Sequence, residues 1–277
     1  MGKRQEKSPP ADAFIAIDHV LVGVADLEGA RRAWEGLGFT VTPRGRHKGW
    51  GTANYCVMFA DDYIELLGIV DATLFTNNLD RFLEEHGEGL LGVALASDDA
   101  EAAYRGLIRA GIAAQAPQTL GRLLELPEGT VEPRFSLVHL APAATPGLRA
   151  FVCQHLTPDL VRRPAWLVHA NGSCGIAEVT VDLEDPGSAA PAYETLLGPD
   201  RVTRRADGFS ARLGGAVIRF GTLGGGSNSL AVAVADVETT ARYLNAAGIP
   251  FARPDDGSLR VAARAATGVA LTFVPSS

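Results

Sequence analysis

The sequence predicts an α+β fold made of four repeated units, each with one strand, one helix and about three further strands. Four Ala-rich stretches each begin near an Asp and end at a Gly, as expected of helices with a capped N-terminus and a left-handed C-terminus. Short runs of alternating apolar and polar residues precede and follow these stretches, which is typical of half-buried strands. Because this pattern recurs along the whole chain, it describes the fold rather than a local motif. The helical stretches are residues 24–38, 97–111, 183–198 and 235–248.

The first unit contains the residues that say most about function. Strict alternation along residues 17–24 places His19 on one face of a strand and Asp18 on the other. Glu65 lies between apolar neighbours in a second alternating run, residues 63–67. A carboxylate on such a face costs several kcal/mol unless it is paired, hydrogen-bonded or bound to a cation. The His–Glu pair is therefore the feature that any functional interpretation has to explain.

Residues 46–54 supply a second group of candidates. Glycines at 49 and 51 allow the backbone to approach a ligand, and Asn and Thr side chains offer placed hydrogen bonds. The alternative is a hairpin whose polar side chains satisfy their own turn. The candidate substrate contacts in this segment are His47, Trp50, Thr52 and Asn54.

The remaining units add strands and divide the chain into two halves. Residues 157–172 contain two prolines and weak periodicity, which predicts an ordered connector at 161–172 between the halves 14–160 and 173–277. Ser173 and Cys174 lie beside glycines and predict a turn. The Gly-rich residues 224–228 predict a second, shorter joint. The strands predicted after the helices are residues 39–41, 54–59, 63–67, 135–140, 149–156, 208–213, 216–220, 259–263 and 269–274.

Composition excludes several classes of protein. The 277 residues are 47% hydrophobic and 21% charged, as in an ordinary globular protein, and the net charge of −7 argues against a nucleic-acid partner. Three cysteines without CxxC spacing indicate a reducing compartment. No stretch approaches the roughly 20 apolar residues that span a bilayer. Residues 1–13 lack the core of a signal peptide and predict a disordered leader. We therefore expect a cytoplasmic protein without a membrane partner.

Several segments together resemble a known family. Residues 17–20 (Ile-Asp-His-Val), 47–54 and 63–67 are similar to the glyoxalase-like domain group of the vicinal oxygen chelate superfamily, as are residues 154–160 and 169–172. That superfamily includes glyoxalases, bleomycin-resistance proteins and extradiol dioxygenases. The resemblance implies four βαβββ modules that form two curved cups of mixed sheet. It also implies that the first and fourth strands of a module carry the ligands of a metal ion.

On this resemblance, His19 and Glu65 are the expected metal ligands of module one. Module two departs from the pattern because Leu91 stands where a second His is expected. Its last strand offers Cys153, Gln154 or His155, of which His155 is the expected third ligand and acid–base group, with Glu65 as the other catalytic group. Gln154 is an expected substrate contact. The alternative for both strand-end side chains is a structural hydrogen bond to the backbone.

The second half is expected to be degenerate. When module three is aligned with module one, Glu178 takes the place of His19 and Arg219 the place of Glu65. We predict an ion pair between them in place of a lost site. Module four has Leu230 and Thr272 at the corresponding positions.

Two functions remain open at this point. The first is a metal-dependent lyase, isomerase or dioxygenase that holds Fe, Mn, Ni, Co or Zn, none of which the ligand types distinguish. Its substrate would be a small molecule that chelates the ion through neighbouring oxygens. The second is a metal-free protein of the bleomycin-resistance type, which sequesters a small molecule in the same cup and has His19 hydrogen-bonded to Glu65. Either form is compatible with a homodimer.

Overall fold

The computed structural model describes residues 13–14, 16–222 and 228–276. The leader predicted over residues 1–13 lies outside the described residues except for its last residue, as does the joint at 224–228 except for residue 228. The four predicted βαβββ modules are confirmed. Module one contains β1 (Ala16–Val24), α1 (Leu27–Gly36), β2 (Gly45–His47), β3 (Thr52–Met58) and β4 (Tyr63–Ile69), and the extra helix α2 (Leu79–His86) follows it.

The other three modules repeat this order with small variations. Module two contains β5 (Gly89–Ala96), α3 (Ala100–Ala110), β6 (Gln118–Leu126), β7 (Gly129–Val131), β8 (Arg134–His139) and β9 (Ala150–His155). Module three contains β10 (Ser173–Asp182), α4 (Pro186–Leu197), β11 (Val202–Arg205), β12 (Gly208–Leu213) and β13 (Ala216–Gly221). Module four contains β14 (Ser229–Val234), α5 (Val237–Ala246), β15 (Phe251–Ala252), β16 (Leu259–Val261) and β17 (Ala270–Pro275).

The four predicted helices begin as the sequence suggests. In each of them the side chain of the residue before the first turn accepts a backbone N–H of that turn, which satisfies a donor that the helix leaves free. Helix α2 was not predicted, and its N-cap residue makes no such side-chain bond. The four capping residues are Asp26, Asp99, Asp185 and Asp236.

Two local predictions are wrong. Residues 39–41 form no strand because their polar groups bond to the connector: the Thr40 N–H donates to His169 Nδ1 at 3.0 Å, and its hydroxyl donates to the Val168 carbonyl. Ser173 and Cys174 do not form a turn but begin β10. The backbone conformation at both places is set by partners that are distant in sequence.

The first half forms a closed barrel. Its strand order is β2-β3-β4-β1-β5-β9-β8-β6-β7, and an additional pairing of β2 with β6 joins the two sides. Eight strands thus surround an interior, and β7 extends the β6 hairpin outside the ring. Apolar side chains from six of these strands fill much of the interior, among them Leu21, Met58, Leu67, Leu91, Phe135 and Phe151.

The second half forms an open sheet of eight strands in the order β11-β12-β13-β10-β14-β17-β16-β15. The helix-covered faces of both halves share one hydrophobic core. At this interface the Trp34 indole N–H donates to the Thr267 hydroxyl at 3.0 Å, and the rings of Phe39 and Phe273 stack with centroids 6.0 Å apart. None of the helices in the described ranges has the length and apolar character needed to cross a membrane.

Candidate active site in the barrel

A β-bulge in β1 brings two consecutive polar side chains into the barrel. The pairing of β1 with β5 shifts register between Ile17 and His19, so Asp18 has no cross-strand partner. Ile17 and Val20 both pack in the core beneath the helices. Asp18 and His19 therefore project together into the barrel, where their side chains are joined by a hydrogen bond. The strict alternation predicted for this strand, which separates Asp18 from His19, is wrong at this point.

His19 and Glu65 meet inside the barrel. Strand β4 lies parallel to β1, and Glu65 faces the interior while Ile64 and Leu66 pack under the helices. The distance between His19 Nε2 and Glu65 Oε2 is 3.3 Å, and both side chains are buried. The ring of Tyr63 stacks on the imidazole with centroids 4.4 Å apart. The sequence-predicted pair is thus held in direct contact.

The hydrogen bond between His19 Nδ1 and Asp18 determines whether Nε2 presents a proton or a lone pair to Glu65. Asp18 Oδ2 lies 2.6 Å from His19 Nδ1, and a carboxylate can only accept, so Nδ1 carries the proton. In the neutral imidazole, Nε2 then presents a lone pair to the carboxylate of Glu65. Two lone pairs at this distance repel each other unless a proton or a metal ion lies between them. Metal-binding histidines are commonly oriented in this way by a carboxylate behind the ring.

Polar neighbours keep Glu65 ionised despite its burial. Burial by itself would raise the pKa of Glu65, but His19, His47 and Arg122 hold that pKa below its usual range. The amide of Asn54 also donates a short hydrogen bond to Oε1. His47 Nε2 lies 3.8 Å from the same carboxylate, and burial lowers the pKa of His47 to about 4, so its imidazole is neutral at pH 7.

Asp18 also contacts His155. His155 Nε2 lies 3.0 Å from Asp18 Oδ1, and burial, which would raise the pKa of Asp18, is outweighed by the hydrogen bonds of the two histidines, which lower it. Together with Cys153, these residues place three potential ligand atoms within 4.8 Å of one another. Burial raises the pKa of the Cys153 thiol well above its usual range, which keeps it protonated. This cluster is a second place where a cation could be held.

The barrel contains a small inner cavity that lies beside a larger outer cleft. His19, Glu65 and Arg122 line a small inner cavity of about 50 Å³, together with mostly apolar side chains. An outer cleft of about 670 Å³ adjoins it at the open end. A small molecule can therefore enter through the cleft and reach the His–Glu pair. The residues that line both spaces are Trp50, Asn77, Leu91, His139 and Arg149.

The candidates of residues 46–54 divide into two groups. His47 and Trp50 line the cavity, as expected of substrate contacts. The side chains of Thr52 and Asn54 are buried behind that lining, where Thr52 bonds to His47 Nδ1 at 2.9 Å and Asn54 bonds to Glu65. These two residues orient other site residues. The hairpin alternative, in which polar side chains bond within their own turn, describes the Thr52 contact correctly.

The candidates on β9 also differ from the expectation. Gln154 faces away from the barrel and caps α3: its Oε1 accepts the Ala100 N–H at 3.1 Å and its Nε2 donates to the Asp98 carbonyl. This follows from alternation, which turns Gln154 outward between Cys153 and His155. In the described part of the chain, His155 has no ring nitrogen within 4.0 Å of Glu65 and bonds to Asp18 instead.

Sequence reasoning missed four residues at the site: Asp18, Tyr63, Arg122 and Arg149. Asp18 was placed on the wrong face because a bulge leaves no local signal in the sequence. Arg122 lies on β6, a strand that was not predicted, and Arg149 begins the predicted strand 149–156, but charged residues are ordinarily assigned to the surface. Only the structure shows that Arg122 is buried, with 4% of its surface exposed.

In the second half, the predicted ion pair is confirmed. Arg219 Nε and Nη2 donate to the two oxygens of Glu178 at 2.9 and 2.7 Å. The module alignment behind this prediction is also supported by register: Leu21 pairs with Glu65 in one half, and Thr180 pairs with Arg219 in the other. A bulge precedes Glu178 as it precedes His19. The two halves are therefore repeats with different chemistry at equivalent positions.

Comparison with known proteins agrees with this architecture. A family model described as a glyoxalase-like domain matches residues 17–197, more than half of the chain. A hypothetical protein from Staphylococcus aureus has a similar structure, with a TM-score of 0.70 at 16% identity over 94% of this chain and 99% of that one. A mutant 4-hydroxymandelate synthase from Streptomyces coelicolor gives 0.62 at 12% identity, over 96% and 92%.

A third structure shows the same fold within a longer chain. It is a fusion of a xylose isomerase-like TIM barrel with a 4-hydroxyphenylpyruvate dioxygenase, and it gives a TM-score of 0.61 at 14% identity over 99% of this chain and 50% of that one. At these identities the three structures establish the fold alone. The comparison with curated proteins found no match.

Proposed function

We propose a metal-dependent reaction for this chain, which belongs to the glyoxalase-like domain family of the vicinal oxygen chelate superfamily. In this proposal His19 and Glu65 hold a divalent ion, and a small substrate binds it through two neighbouring oxygens. When bound, such an ion supplies Lewis-acid stabilisation of an enolate-type oxygen. The class of reaction is that of a lyase, isomerase or dioxygenase acting on a compound that enters through the outer cleft.

One observation carries the proposal: His19 Nε2 faces an ionised Glu65 at 3.3 Å while Asp18 holds the opposite ring nitrogen. Imidazole and carboxylate are suitable ligands for Fe, Mn, Ni, Co and Zn. Two protein ligands leave several coordination positions free, as a catalytic ion requires. The oxygens of a chelating substrate would fill two of these positions.

The cluster of Asp18, Cys153 and His155 is the less suitable place for a catalytic ion. His19 and Glu65 line the cavity that the outer cleft reaches, whereas neither Asp18 nor His155 belongs to its lining. The carboxylate of Asp18 is already hydrogen-bonded to the imidazoles of His19 and His155. We therefore assign His155 as a positioning residue that holds Asp18, in place of the third-ligand role suggested by the sequence.

The protein groups around the proposed ion have separate tasks. Glu65 would bind the ion through Oε2, which faces His19, while Asn54 donates to Oε1 and fixes the direction of the carboxylate. His47 stays neutral and is oriented by Thr52, so it offers a hydrogen bond beside the carboxylate. Apolar side chains around the cavity exclude water from the reacting atoms.

A metal-free binding protein is the second candidate, and Leu91 favours it. Leu91 lies in the lining where the family resemblance suggests a second His, so the barrel has one ligand fewer than that pattern. In this alternative a hydrogen bond joins His19 to Glu65 and no ion lies between them. The protein would then sequester an apolar small molecule without transforming it.

Metal content separates the two candidates. Protein purified without chelators and with a His-free purification tag should contain close to one equivalent of a divalent transition metal by elemental mass spectrometry. His19→Ala and Glu65→Gln should each lose most of it while remaining folded by circular dichroism. His86→Ala, an exposed histidine in the same half, is the matched control and should keep its metal. Equal metal content in all four proteins would leave the binding-protein candidate standing.

A further inference from the structure

Arg122 introduces a positive charge into the barrel. It lies on β6 with its side chain turned inward, is 4% exposed and lines the inner cavity. Its guanidinium lies over the ring of Phe135, 5.5 Å from the centroid, and Nη1 lies 3.2 Å from the sulfur of Cys56. Burial raises the pKa of that thiol to about 11, so the sulfur is a neutral partner at pH 7.

Gly45 on the neighbouring strand β2 leaves room for this arginine. A side-chain Cβ at position 45 would lie 2.6 Å from Arg122 Cδ and would also collide with the Asn54 amide oxygen. Contacts closer than about 3 Å do not occur at real Cβ atoms, so a larger residue would displace the guanidinium. The inward position of Arg122 is therefore part of the barrel's construction.

The charge of Arg122 has no ion-pair partner among the residues that the structure describes. In the described ranges, no carboxylate oxygen lies within 4.0 Å of its nitrogens, and its buried Nε has no hydrogen-bond partner. Glu65, whose charge opposes the effect of burial and raises the pKa of Arg122, already contacts Asn54 and His19. A buried charge without a partner is strongly unfavourable, and an apolar residue of similar size would be more stable there. A ligand with a negatively charged group that pairs with Arg122 would account for this buried charge.

A second arginine stands at the passage between the cavity and the outer cleft. Arg149 donates from Nη1 to the Asn77 carbonyl at 2.9 Å and lines both spaces. In the part of the chain that the structure describes, it also has no carboxylate within 4.0 Å. The remaining lining is mostly apolar and aromatic, including Leu21, Leu67, Phe135, Leu137 and Phe151.

We propose that the barrel binds a small apolar carboxylic acid, with its carboxylate on Arg122 and its entry guided by Arg149. Guanidinium groups suit carboxylates because their N–H groups match the two oxygens. Such an acid would be the substrate of the reaction proposed above, and only its chemical conversion rests on that proposed function. Binding of the acid itself requires only the two arginines and the apolar lining.

The test compares acids with neutral molecules of the same shape. Benzoate, phenylacetate and 3-methylbutanoate are each titrated beside their primary amides, by calorimetry, into protein stripped of metal and into protein reloaded with Zn²⁺. We expect at least one acid to bind at least about tenfold more tightly than its amide, in both forms of the protein. Its affinity should fall with salt less steeply than that of an exposed site.

Two variants locate the contact. Arg122→Met keeps the volume and removes the unpaired charge, so it should be at least as stable as the parent protein and should lose the preference for the acid. Arg149→Gln, at a half-buried position, should lower the affinity for the acid by a smaller factor and leave the amide unchanged. Arg134→Gln, an exposed arginine on β8, is the control and should behave like the parent protein.

Three results would overturn the proposal. One is equal binding, or no binding, of acid and amide across the whole panel. Another is a preference for the acid that survives in Arg122→Met. The third is binding of the acid to Zn²⁺-loaded protein alone, which would place the carboxylate on the metal. Because the first measurement uses metal-free protein, its outcome is independent of whether the metal-content test succeeds.

Discussion

His19 is held in its ring orientation by Asp18, which accepts the Nδ1 proton at 2.6 Å. Asp18 in turn is fixed by His155 at 3.0 Å. A chain of contacts, His155–Asp18–His19–Glu65, therefore extends through the barrel interior to the cavity. Such outer contacts fix the tautomer and the direction of the lone pair that a metal ion would use.

Replacing Asp18 should therefore weaken metal binding without removing a ligand. In Asp18→Asn the amide can rotate to donate to Nδ1, which would put the proton on Nε2 and direct it at Glu65. We expect the affinity for Zn²⁺ to fall by about 10- to 100-fold in competition titrations with a chromophoric chelator. The exposed Asp159→Asn should be unchanged. An Asp18→Asn protein that is folded and has parental affinity would contradict this role.

At the level of elements, the turn between β3 and β4 bonds to a strand of the second half. Asp62 lies in the connection between β3 and β4 and accepts the Ile176 N–H of β10 with both oxygens, at 3.1 and 3.2 Å. Burial raises the pKa of Asp62 to about 7. The folded protein thus binds a proton here between about pH 4 and pH 7 that the unfolded chain releases, so this group's contribution to stability is lost progressively as the pH rises from about 4 to 7.

Asp62→Asn should remove that dependence, because the amide oxygen still accepts the N–H but carries no charge to desolvate. We expect the gain in stability of the variant over the parent protein to be larger at pH 8 than at pH 5 by about 2–3 kcal/mol, because each pH unit between the two pKa values of Asp62 changes that gain by about 1.4 kcal/mol. Urea unfolding at the two pH values measures this. The exposed Asp200→Asn serves as control. A difference of the same size at both pH values would show that Asp62 does not titrate in this range.

The sequence allowed prediction of those features of the elements that local patterns encode. Capped helices and alternating strands identified all four modules, and the module alignment identified the Glu178–Arg219 pair. The bulge at Asp18 was not predictable, because it depends on how β5 pairs with β1. Closure of the barrel also escaped prediction, since residues 45–47 pair with the distant residues 122–124. Both features depend on contacts between segments far apart in the chain, where no local pattern is informative.

At the scale of the whole molecule, the two halves depend on one core. Phe273 on β17 is fully buried and stacks on Phe39 of the first half, and Thr267 holds the Trp34 indole. Side chains of both halves belong to a single hydrophobic cluster. The open second sheet, whose Glu178–Arg219 pair occupies the positions equivalent to His19 and Glu65, therefore supports the barrel structurally.

Phe273→Ala should destabilise both halves together, by about 3–5 kcal/mol, because the cavity it leaves is shared. All three tryptophans, Trp34, Trp50 and Trp166, lie before residue 173, so their fluorescence reports on the first half, the connector and, through Trp34, the interface with the second half. We expect fluorescence and circular dichroism to give coincident thermal transitions, both at a lower temperature than in the parent protein. The half-buried Val274→Ala should cost less. Separate transitions for the two probes would mean that the halves unfold independently.

Anomalous diffraction would show directly whether His19 and Glu65 share a divalent ion. Crystals of the parent protein grown with Co²⁺ would be measured on both sides of the cobalt absorption edge. We expect one strong anomalous peak at about 2.0–2.2 Å from His19 Nε2 and from a carboxylate oxygen of Glu65. A peak bounded instead by Asp18, Cys153 and His155, or a barrel without any peak at saturating Co²⁺, would contradict it.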